Sequence, residues 1–361
     1  MIRPILERWA WFFVAVAWAV ASAAEPLVIS GPTMGTTYHV KLVGATAADE
    51  LSIRAEIEAV LRDVDERLST YRQDSEVSRF NRAPAGNWFA VSPATAEVVS
   101  AALAVSGQTG GALDVTVGPL VRLWHFGPSA ISETKSAAEI VPPDDVALRA
   151  AHELVGHEKL EVRTDPPALR KRTGGLEIDL SAVGEGDAID RLAAVLAQRG
   201  IENFLVELGG EVRTSGSGPS GKPWRVAVER PVVERAEMLS AVSLSNAALA
   251  TSGDYHRFFE HGGRRFSHII DPSTGRPVNH TLASVTVAAD NALAADAWDT
   301  ALLVLGPERG YDCAVEHGIA ALLVSRDGDG DEFVTRETPA WRDRFPTAAS
   351  SSPAGPRTQS P

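Results

Sequence analysis

The 361-residue sequence has little cysteine and no excess of basic side chains. Its one cysteine, Cys313, excludes an intramolecular disulfide and a cysteine-rich metal or iron–sulfur site. With 34 basic and 47 acidic residues the formal net charge is −13, whereas a protein that binds a nucleic-acid backbone needs a basic surface. We therefore expect no nucleic acid among its partners. No repeat of about 20–50 residues stands out, which argues against a solenoid or a propeller.

An apolar run occupies the N-terminal segment of the chain. Arg3 and Arg8 precede or border a run from Trp9 to about Ala21, and the small residues ASAA close it. This is the layout of a cleavable secretory signal peptide, and the run is shorter than the about 20 residues that a membrane-spanning helix needs. We predict that residues 1–24 are a signal peptide and that the protein is exported to the periplasm. An uncleaved N-terminal membrane anchor is the alternative, and the lack of a following cysteine excludes a lipid anchor at this site.

The rest of the sequence is typical of a globular protein, with 44% hydrophobic and 22% charged residues. Helical periodicity is found in residues 48–71, 93–109 and 291–306, and strand-like alternation in residues 36–44 and 282–290. Long strands alternating with a few long helices predict an α+β fold, and no linker divides it. We therefore predict one domain over residues 25–346. Residues 347–361 have no apolar content to bury and are predicted to be disordered.

Three oxygen-bearing side chains lie inside the apolar helix NALAADAWDTALLVLG (291–306). Asp296, Asp299 and Thr300 are spaced i, i+3 and i+4, so they share one face of the helix. Two carboxylates buried this close repel each other without a partner, and Mg²⁺ binds such oxygen atoms. The pattern indicates either a divalent-metal site or a solvated helix face, although the apolar flanks leave little room for the second.

Two further segments carry candidate chemistry. In DLSAVGEGDAID (179–190), a strand is predicted to end at Leu180 and a Gly-Glu-Gly turn to precede a helix, an arrangement that can cradle phosphate. The signal is weak, because it is neither a Rossmann nor a Walker motif and Glu185 repels phosphate unless a cation intervenes. In SHIIDPSTGRPV, His268 is a candidate general base, with a structural histidine as the commoner alternative.

An acidic segment near the C-terminus imitates a calcium-binding loop. RDGDGDEF (326–333) begins like an EF-hand, but Glu332 and Thr338 stand where that loop needs glycine and glutamate. Apolar, strand-like segments flank it on both sides. We therefore predict a hairpin turn.

Taken together, these motifs resemble those of one known family. The sequence is similar to the FAD:protein FMN transferases, the ApbE family, over residues 32–345, nearly all of the predicted mature chain. The motifs that carry the resemblance occur in the family's order and are PTMGTTYHV, LSTYRQDSEVSRFN, GALDVTVGPLVRLWHFG, IDLSAVGEGDAIDR, ATSGDY, SHIIDPSTGRPV, SVTV and ADAWDTALLVLGPERG.

The resemblance implies an exported enzyme that uses FAD and Mg²⁺. Such enzymes move the FMN half of FAD onto a Thr or Ser hydroxyl of an acceptor protein and release AMP. Their acceptors are typically subunits of membrane redox complexes or other exported flavoproteins. The implied fold is a two-lobed α+β domain related to the T-fold, with FAD between the lobes.

The resemblance also implies roles for particular residues. His268 matches a position expected to serve as the catalytic base. The implied magnesium ligands are Ala182 through its carbonyl, Asp296, Asp299 and Thr300. The positions implied around the flavin nucleotide are Met34, Tyr71, Ala112, Leu113, Asp114, Asp179, Glu185 and Ile270.

One departure from the family pattern concerns Glu185. Many members carry lysine at this position, while a subset carries the Gly-Glu-Gly found here, so a lysine contact to the nucleotide does not apply to this chain. Three alternative functions remain open from the sequence. They are a metal-dependent FAD pyrophosphatase that uses water as the acceptor, a periplasmic FAD-binding protein without turnover, and an accessory protein that binds a partner but not FAD.

Overall fold

The computed structural model describes residues 25–127, 140–232, 237–328 and 332–346. The predicted signal peptide (1–24) and the predicted disordered tail (347–361) lie outside these described residues. Within the four ranges, no helix combines the length and the apolar character that crossing a membrane requires.

The described chain alternates strands with helices, as the sequence predicts. The helices are α1 (Glu50–Leu68), α2 (Glu76–Arg82), α3 (Pro93–Gln108), α4 (Gly118–Leu123), α5 (Asp145–His152), α6 (Ser181–Gln198), α7 (Ala292–Leu305), α8 (Pro307–Glu316) and α9 (Pro339–Arg344). The strands are β1 (Leu27–Thr33), β2 (Thr36–Leu42), β3 (Phe89–Ala90), β4 (Leu160–Thr164), β5 (Pro167–Lys171), β6 (Phe204–Leu208), β7 (Glu211–Ser215), β8 (Trp224–Glu229), β9 (Met238–Leu244), β10 (Ala247–Gly253), β11 (Phe258–His261), β12 (Arg264–Ser267), β13 (Ile270–Asp271), β14 (Arg276–Pro277), β15 (Leu282–Ala289), β16 (Ala320–Arg326) and β17 (Phe333–Glu337).

One large antiparallel sheet organises the fold, with the strand order β1-β2-β6-β7-β10-β15-β16-β17. Because side chains alternate between the two faces of a strand, the sheet separates two apolar cores. On β10, Ala248 and Ala250 belong to the larger core, while Ala247 and Leu249 belong to the smaller. A sheet of antiparallel strands covered by separate helices confirms the predicted α+β class.

The two faces of the sheet are covered by different elements. Helices α1, α3, α6 and α7 contribute to the larger core, for example through Leu192 and Leu302. The β8–β9 hairpin and α9 cover the other face, where Trp224 and Trp341 are buried. A third apolar cluster, formed by α4, α5 and the short strands β11 to β13, packs around Trp124.

Helices α6 and α7 cross in very close contact at Gly186. A Cβ at this position would lie 2.7 Å from the carbonyl oxygen of Ala292 and 2.8 Å from Cα of Leu293. The carboxylate of Asp190, one turn further along α6, accepts hydrogen bonds from the amides of Ala292 (2.9 Å) and Leu293 (3.0 Å). Helix α6 thus fixes the N-terminus of α7 through both packing and capping.

Two local predictions made for residues 175–190 are wrong. The predicted strand before Leu180 is reduced to an isolated bridge between Val117 and Glu177. The Gly-Glu-Gly sequence lies inside α6 and is not a turn, since the helix already begins at Ser181. The carboxylate of Asp179, just before the N-cap residue Leu180, accepts a hydrogen bond from the Ser181 amide at 2.9 Å. Gly186 instead allows helices α6 and α7 to approach closely.

The predicted hairpin near the C-terminus agrees with the register of the sheet. Strands β16 and β17 pair antiparallel from Leu322 with Glu337 to Arg326 with Phe333. Residues 329–331, at the tip of this connection, lie outside the described ranges.

The contact at Gly186 predicts a specific loss of stability. In Gly186→Ala the added methyl group has backbone atoms for neighbours, which do not move aside cheaply, so we expect the free energy of unfolding to fall by about 1–3 kcal/mol. Denaturant unfolding followed by circular dichroism measures this change.

The matched control is Gly107→Ala on α3. A Cβ at Gly107 meets no atom within 4 Å, and alanine favours a helix over glycine by about 0.5–1 kcal/mol. We expect this variant to be as stable as the parent protein or slightly more stable. Equal effects of the two substitutions would show that the α6–α7 contact is not the constraint described here.

Candidate functional site

Three acidic side chains converge in the interior, between helix α7 and the sheet. Glu211, Asp296 and Asp299 each present a carboxylate oxygen, and these three atoms lie within 4.8 Å of one another. The side chains are buried, with Asp299 1% exposed and Glu211 7% exposed. The solvated helix face that the sequence left open is therefore excluded for the two aspartates.

Local structure explains how each of these carboxylates reaches the cluster. Asp296 and Asp299 lie one turn apart on α7, whose first turn is capped by the Asn291 side chain at the Ala294 amide (2.8 Å). Glu211 is the first residue of β7 and follows Gly209-Gly210, both of which have positive φ (67° and 118°). The glycine pair makes the tight β6–β7 connection that turns Glu211 inward.

Burial and mutual repulsion disfavour negative charge in the cluster. Burial, followed by the charge of nearby Glu185, raises the pKa of Asp296. Burial and the charge of Asp296 raise the pKa of Asp299 well above its ordinary value, and burial raises that of Glu211 in the same direction. Without a compensating cation, these groups are held ionised only at a cost in free energy.

The hydrogen bonds of the cluster leave room for a cation. Buried oxygens of two members, Oδ1 of Asp299 and Oε2 of Glu211, have no hydrogen-bond partner among the described residues. Buried polar atoms are otherwise nearly always paired. Carboxylate oxygens are the ligands that Mg²⁺ prefers, so the donor set fits the divalent ion that the sequence motif suggests.

The two other predicted metal ligands lie beside this cluster. Thr300 follows Asp299 directly on α7, and its backbone and side chain favour the ionised form of Asp299. The Gly186 amide donates to Oδ2 of Asp296 at 2.9 Å. Ala182 lies one turn before Gly186 on the same helix. The structure places Asp296 and Asp299 in one cluster, while the metal-ligand roles of Thr300 and the Ala182 carbonyl stay predictions.

Glu185 lies at the edge of the cluster and is tied to it through Glu211. Burial first, and then the adjacent Glu185 carboxylate, raises the pKa of Glu211. Oε2 of Glu185 lies 2.2 Å from the position that a Cβ on Gly209 would occupy. A glycine at 209 is therefore needed for Glu185 to occupy this place. The predicted phosphate cradle at Gly-Glu-Gly is wrong, because the segment is helical and the Gly186 amide already has a carboxylate partner.

Met34 approaches the same end of α6 from the sheet. It lies in the β1–β2 connection with a positive φ of 46°, and its Cε lies 3.7 Å from where a Cβ on Gly184 would be. Its predicted position near the nucleotide is compatible with this place over the first turns of α6. Its role as a nucleotide contact stays a prediction.

His268 has the geometry of a proton acceptor. Its Nδ1 lies 3.0 Å from the carbonyl oxygen of Arg257, and since a carbonyl only accepts, Nδ1 carries the proton and Nε2 holds the free lone pair. Burial, with the positive charge of Arg257 as a further cause, lowers the pKa of His268 to about 4. The ring is therefore neutral near pH 7, as a general base requires.

His256 interacts electrostatically with both His268 and Glu185. The ring of His256 lies 4.0 Å from that of Tyr255. A positive charge on His256 lowers the pKa of His268. The negative charge of Glu185 opposes the effect of burial, which lowers the pKa of His256.

Four predicted nucleotide positions are engaged in other packing. Ala112 and Leu113 are buried, and Leu113 belongs to the larger core. The carboxylate of Asp114 accepts hydrogen bonds from the Thr116 amide, the Thr116 hydroxyl and the amide of His157 (2.8, 2.6 and 2.8 Å), and burial raises its pKa. Ile270 packs in the cluster around Trp124. In these positions the side chains hold the protein's own structure.

The two remaining predicted positions differ in exposure. Tyr71 is 47% exposed and follows the end of α1, where a planar ring is free to contact a ligand. Asp179, just before α6, is buried and accepts a hydrogen bond from the Ser181 amide. No contact of the described residues tests a flavin role for either side chain, and both stay predictions.

Sequence reasoning missed Glu211 and Asp190. Glu211 had one signal, an acidic residue directly after Gly-Gly in ELGGEV, where a strand begins. Asp190 resembles an ordinary exposed helix residue in the sequence. Its capping of α7 joins residues 102 and 103 positions apart, and its ion pair with Arg213 joins residues 23 positions apart. No local sequence pattern reveals either contact.

Comparison with known proteins gives a consistent result. The sequence model described as the ApbE family matches residues 34–323. An FAD:protein FMN transferase of Vibrio cholerae is 43% identical over 308 residues, which is 85% of this chain and 90% of that protein. An FAD:protein FMN transferase of Escherichia coli is 37% identical over 324 residues, 90% of each chain.

Solved structures show the same relationship. The flavin transferase ApbE from Vibrio cholerae matches with a TM-score of 0.79 at 41% identity and covers 89% of this chain and 99% of that one. The apo form of the Pseudomonas stutzeri flavinyl transferase ApbE matches with a TM-score of 0.78 at 38% identity, covering 90% and 98%. Sequence and fold agree over nearly the full length, and the chain belongs to the ApbE family.

Proposed function

We propose that this protein is a flavin transferase that moves FMN from FAD onto a Thr or Ser hydroxyl of an acceptor protein and releases AMP. The activity named for its relatives supports the proposal. The structural observation that carries it is the buried cluster of Glu211, Asp296 and Asp299, two of which have oxygens without a partner. Such a cluster is costly unless it binds a cation, and a cation is what a pyrophosphate substrate needs.

The residues proposed to hold Mg²⁺ are Asp296, Asp299, Thr300 and the carbonyl of Ala182. When bound, the ion supplies Lewis-acid polarisation of the pyrophosphate and offsets its negative charge. The chain itself fixes the ligands before any nucleotide arrives, because α7 is capped by Asp190 and packed against Gly186. Preorganised ligands lower the cost of assembling the reactive geometry.

The proposed proton acceptor is Nε2 of His268. The acceptor hydroxyl oxygen bonds to the FMN-side phosphorus, the bond from that phosphorus to the bridging oxygen breaks, and AMP leaves with that oxygen. His268 takes up the hydroxyl proton. Its Nδ1–H remains on the Arg257 carbonyl, which keeps the ring oriented and the accepting nitrogen free.

The site of action is proposed from the N-terminal sequence. Residues 1–24 have the layout of a signal peptide, which supports export and action in the periplasm. The acceptor would then be an exported flavoprotein or an exported part of a membrane redox complex. The net charge of −13 argues against a nucleic acid as the partner.

The proposed reaction predicts a defined change in mass. Purified protein incubated with FAD, Mg²⁺ and an acceptor domain should give an acceptor that is heavier by one FMN moiety, together with AMP. Mass spectrometry of the acceptor and chromatography of the nucleotides measure both products. A chelator should stop the reaction and excess Mg²⁺ restore it.

Two other results have distinct meanings for this experiment. Release of FMN and AMP with an unchanged acceptor would identify an FAD pyrophosphatase. Bound FAD with neither product, at saturating Mg²⁺, would identify a binding protein. Either result contradicts the transferase proposal.

Loss of a ligand carboxylate is predicted to remove metal binding. Asp299→Asn keeps the shape of the side chain but removes its charge, and we expect transfer to fall by at least about 100-fold, since even outer-shell partners are worth about 10–100-fold. Calorimetric titration with Mg²⁺ should show the loss of binding directly. Asp312→Asn, at an exposed position of α8, is the control and should behave like the parent protein.

Removal of the imidazole is predicted to slow the chemical step. His268→Gln should lower the transfer rate by about 10²–10⁴-fold, the usual contribution of a general base, while FAD and Mg²⁺ still bind. Single-turnover kinetics and FAD titration separate the two effects. If FAD binding is lost and the rate at saturation is retained, His268 is a binding residue and the base assignment is wrong.

Burial and the charge of Arg257 are predicted to keep the His268 ring neutral at neutral pH. In the protein without FAD, NMR titration should show the imidazole neutral until the pH approaches its pKa of about 4. Arg257→Gln removes a positive charge that opposes protonation, so the pKa should rise toward the ordinary value of 6.5. An unchanged pKa in this variant would exclude Arg257 as a cause.

A further inference from the structure

Glu211 is the member of the acidic cluster that no sequence motif predicts. It reaches the cluster from the sheet, while Asp296 and Asp299 come from helix α7 on the opposite side. One carboxylate oxygen of Glu211 lies within 4.8 Å of an oxygen from each aspartate. A cation with ligand distances of about 2.1–2.5 Å spans oxygens up to about 4.2–5 Å apart. The three carboxylates therefore have the spacing of ligands on one ion.

The hydrogen bonds of Glu211 do not explain why it is buried. The side chain is 7% exposed, and its Oε2 has no partner among the residues that the structure describes. Its interaction with Glu185 adds another acidic group to the cluster. A buried carboxylate oxygen without a partner costs about 1–3 kcal/mol or more. A purely structural role would be served better by an apolar side chain or by glutamine.

Two glycines in the connection before β7 allow the backbone to turn so that Glu211 reaches the cluster. Gly209 and Gly210 both adopt positive φ in the connection before β7, and a side chain at Gly209 would overlap Glu185. The neighbouring glutamate on β6, Glu207, has a different environment. Its carboxylate accepts a hydrogen bond from the Gly210 amide at 3.1 Å and is not a member of the cluster.

We propose that Glu211 is a further protein ligand of the divalent cation, which joins the ion to the sheet as well as to α7. This inference rests on the proposed function in one respect, namely that the cluster binds a divalent ion. With carboxylates on opposite sides, the site is complete enough to bind the ion before FAD. Glu211 then decides how tightly the free protein holds the metal.

The test is metal binding by the full-length protein in the absence of FAD and acceptor. Mn²⁺ is the probe, because its binding is followed both by calorimetry and by the electron paramagnetic resonance signal of the free ion. In Glu211→Gln we expect Mn²⁺ affinity to fall by at least about tenfold. The thermal stabilisation that Mn²⁺ gives the parent protein should shrink correspondingly.

Glu207→Gln is the matched control and should bind Mn²⁺ like the parent protein. It removes a carboxylate on the adjacent strand without touching the cluster, so it separates direct ligation from the general loss of negative charge. Glu211→Asp keeps the charge but shortens the side chain by one methylene, and we expect an intermediate affinity. This variant also answers the question if Glu211→Gln does not fold.

The outcomes distinguish this inference from the proposed function. Mn²⁺ affinity within about twofold of the parent in folded Glu211→Gln, with binding lost in Asp299→Asn, overturns the role of Glu211 and leaves the transferase proposal intact. Equal losses in Glu211→Gln and Glu207→Gln also overturn it, because charge alone then explains both. Absence of Mn²⁺ binding by the parent protein contradicts the metal site as a whole.

Discussion

Repulsion between buried carboxylates is the constraint on which the rest of the structure depends. Glu211, Asp296 and Asp299 are placed within 4.8 Å of one another in the interior, where like charges interact strongly. Folding alone gains nothing from this arrangement, since two of the oxygens have no partner. The free energy of packing the surrounding helices and sheet holds the groups together, and a cation is the simplest species that relieves the repulsion.

Glycines and helix caps hold the three carboxylates in place. Gly186 lets α6 and α7 approach until their backbones are in contact, and Asp190 binds the first amides of α7. On the other side, Gly209 leaves space for Glu185 beside Glu211. The carboxylates are thus fixed by rigid elements on both sides, which restricts their movement.

The sequence predicted the helical half of the site and missed the sheet half. Asp296 and Asp299 were found because a spacing of three residues is a local property of a helix. Glu211 lies 85 residues before Asp296, and their meeting depends on which strand lies beneath helix α7, which the local periodicity of either segment does not reveal. The prediction of a turn at Gly-Glu-Gly was wrong for the same reason. Glycine is required at position 186 because the backbone of helix α7 lies against it, and the local sequence does not show this contact.

The capping of α7 prevents the N-terminus of this helix from binding an anion. The amides of Ala292, Leu293 and Ala294 are occupied by the side chains of Asp190 and Asn291, so the positive pole of this helix macrodipole is already neutralised. A diphosphate cannot dock there as it does on a glycine-rich nucleotide loop. In the proposed reaction the substrate's charge is met by the metal, and recognition of the nucleotide is inseparable from metal occupancy.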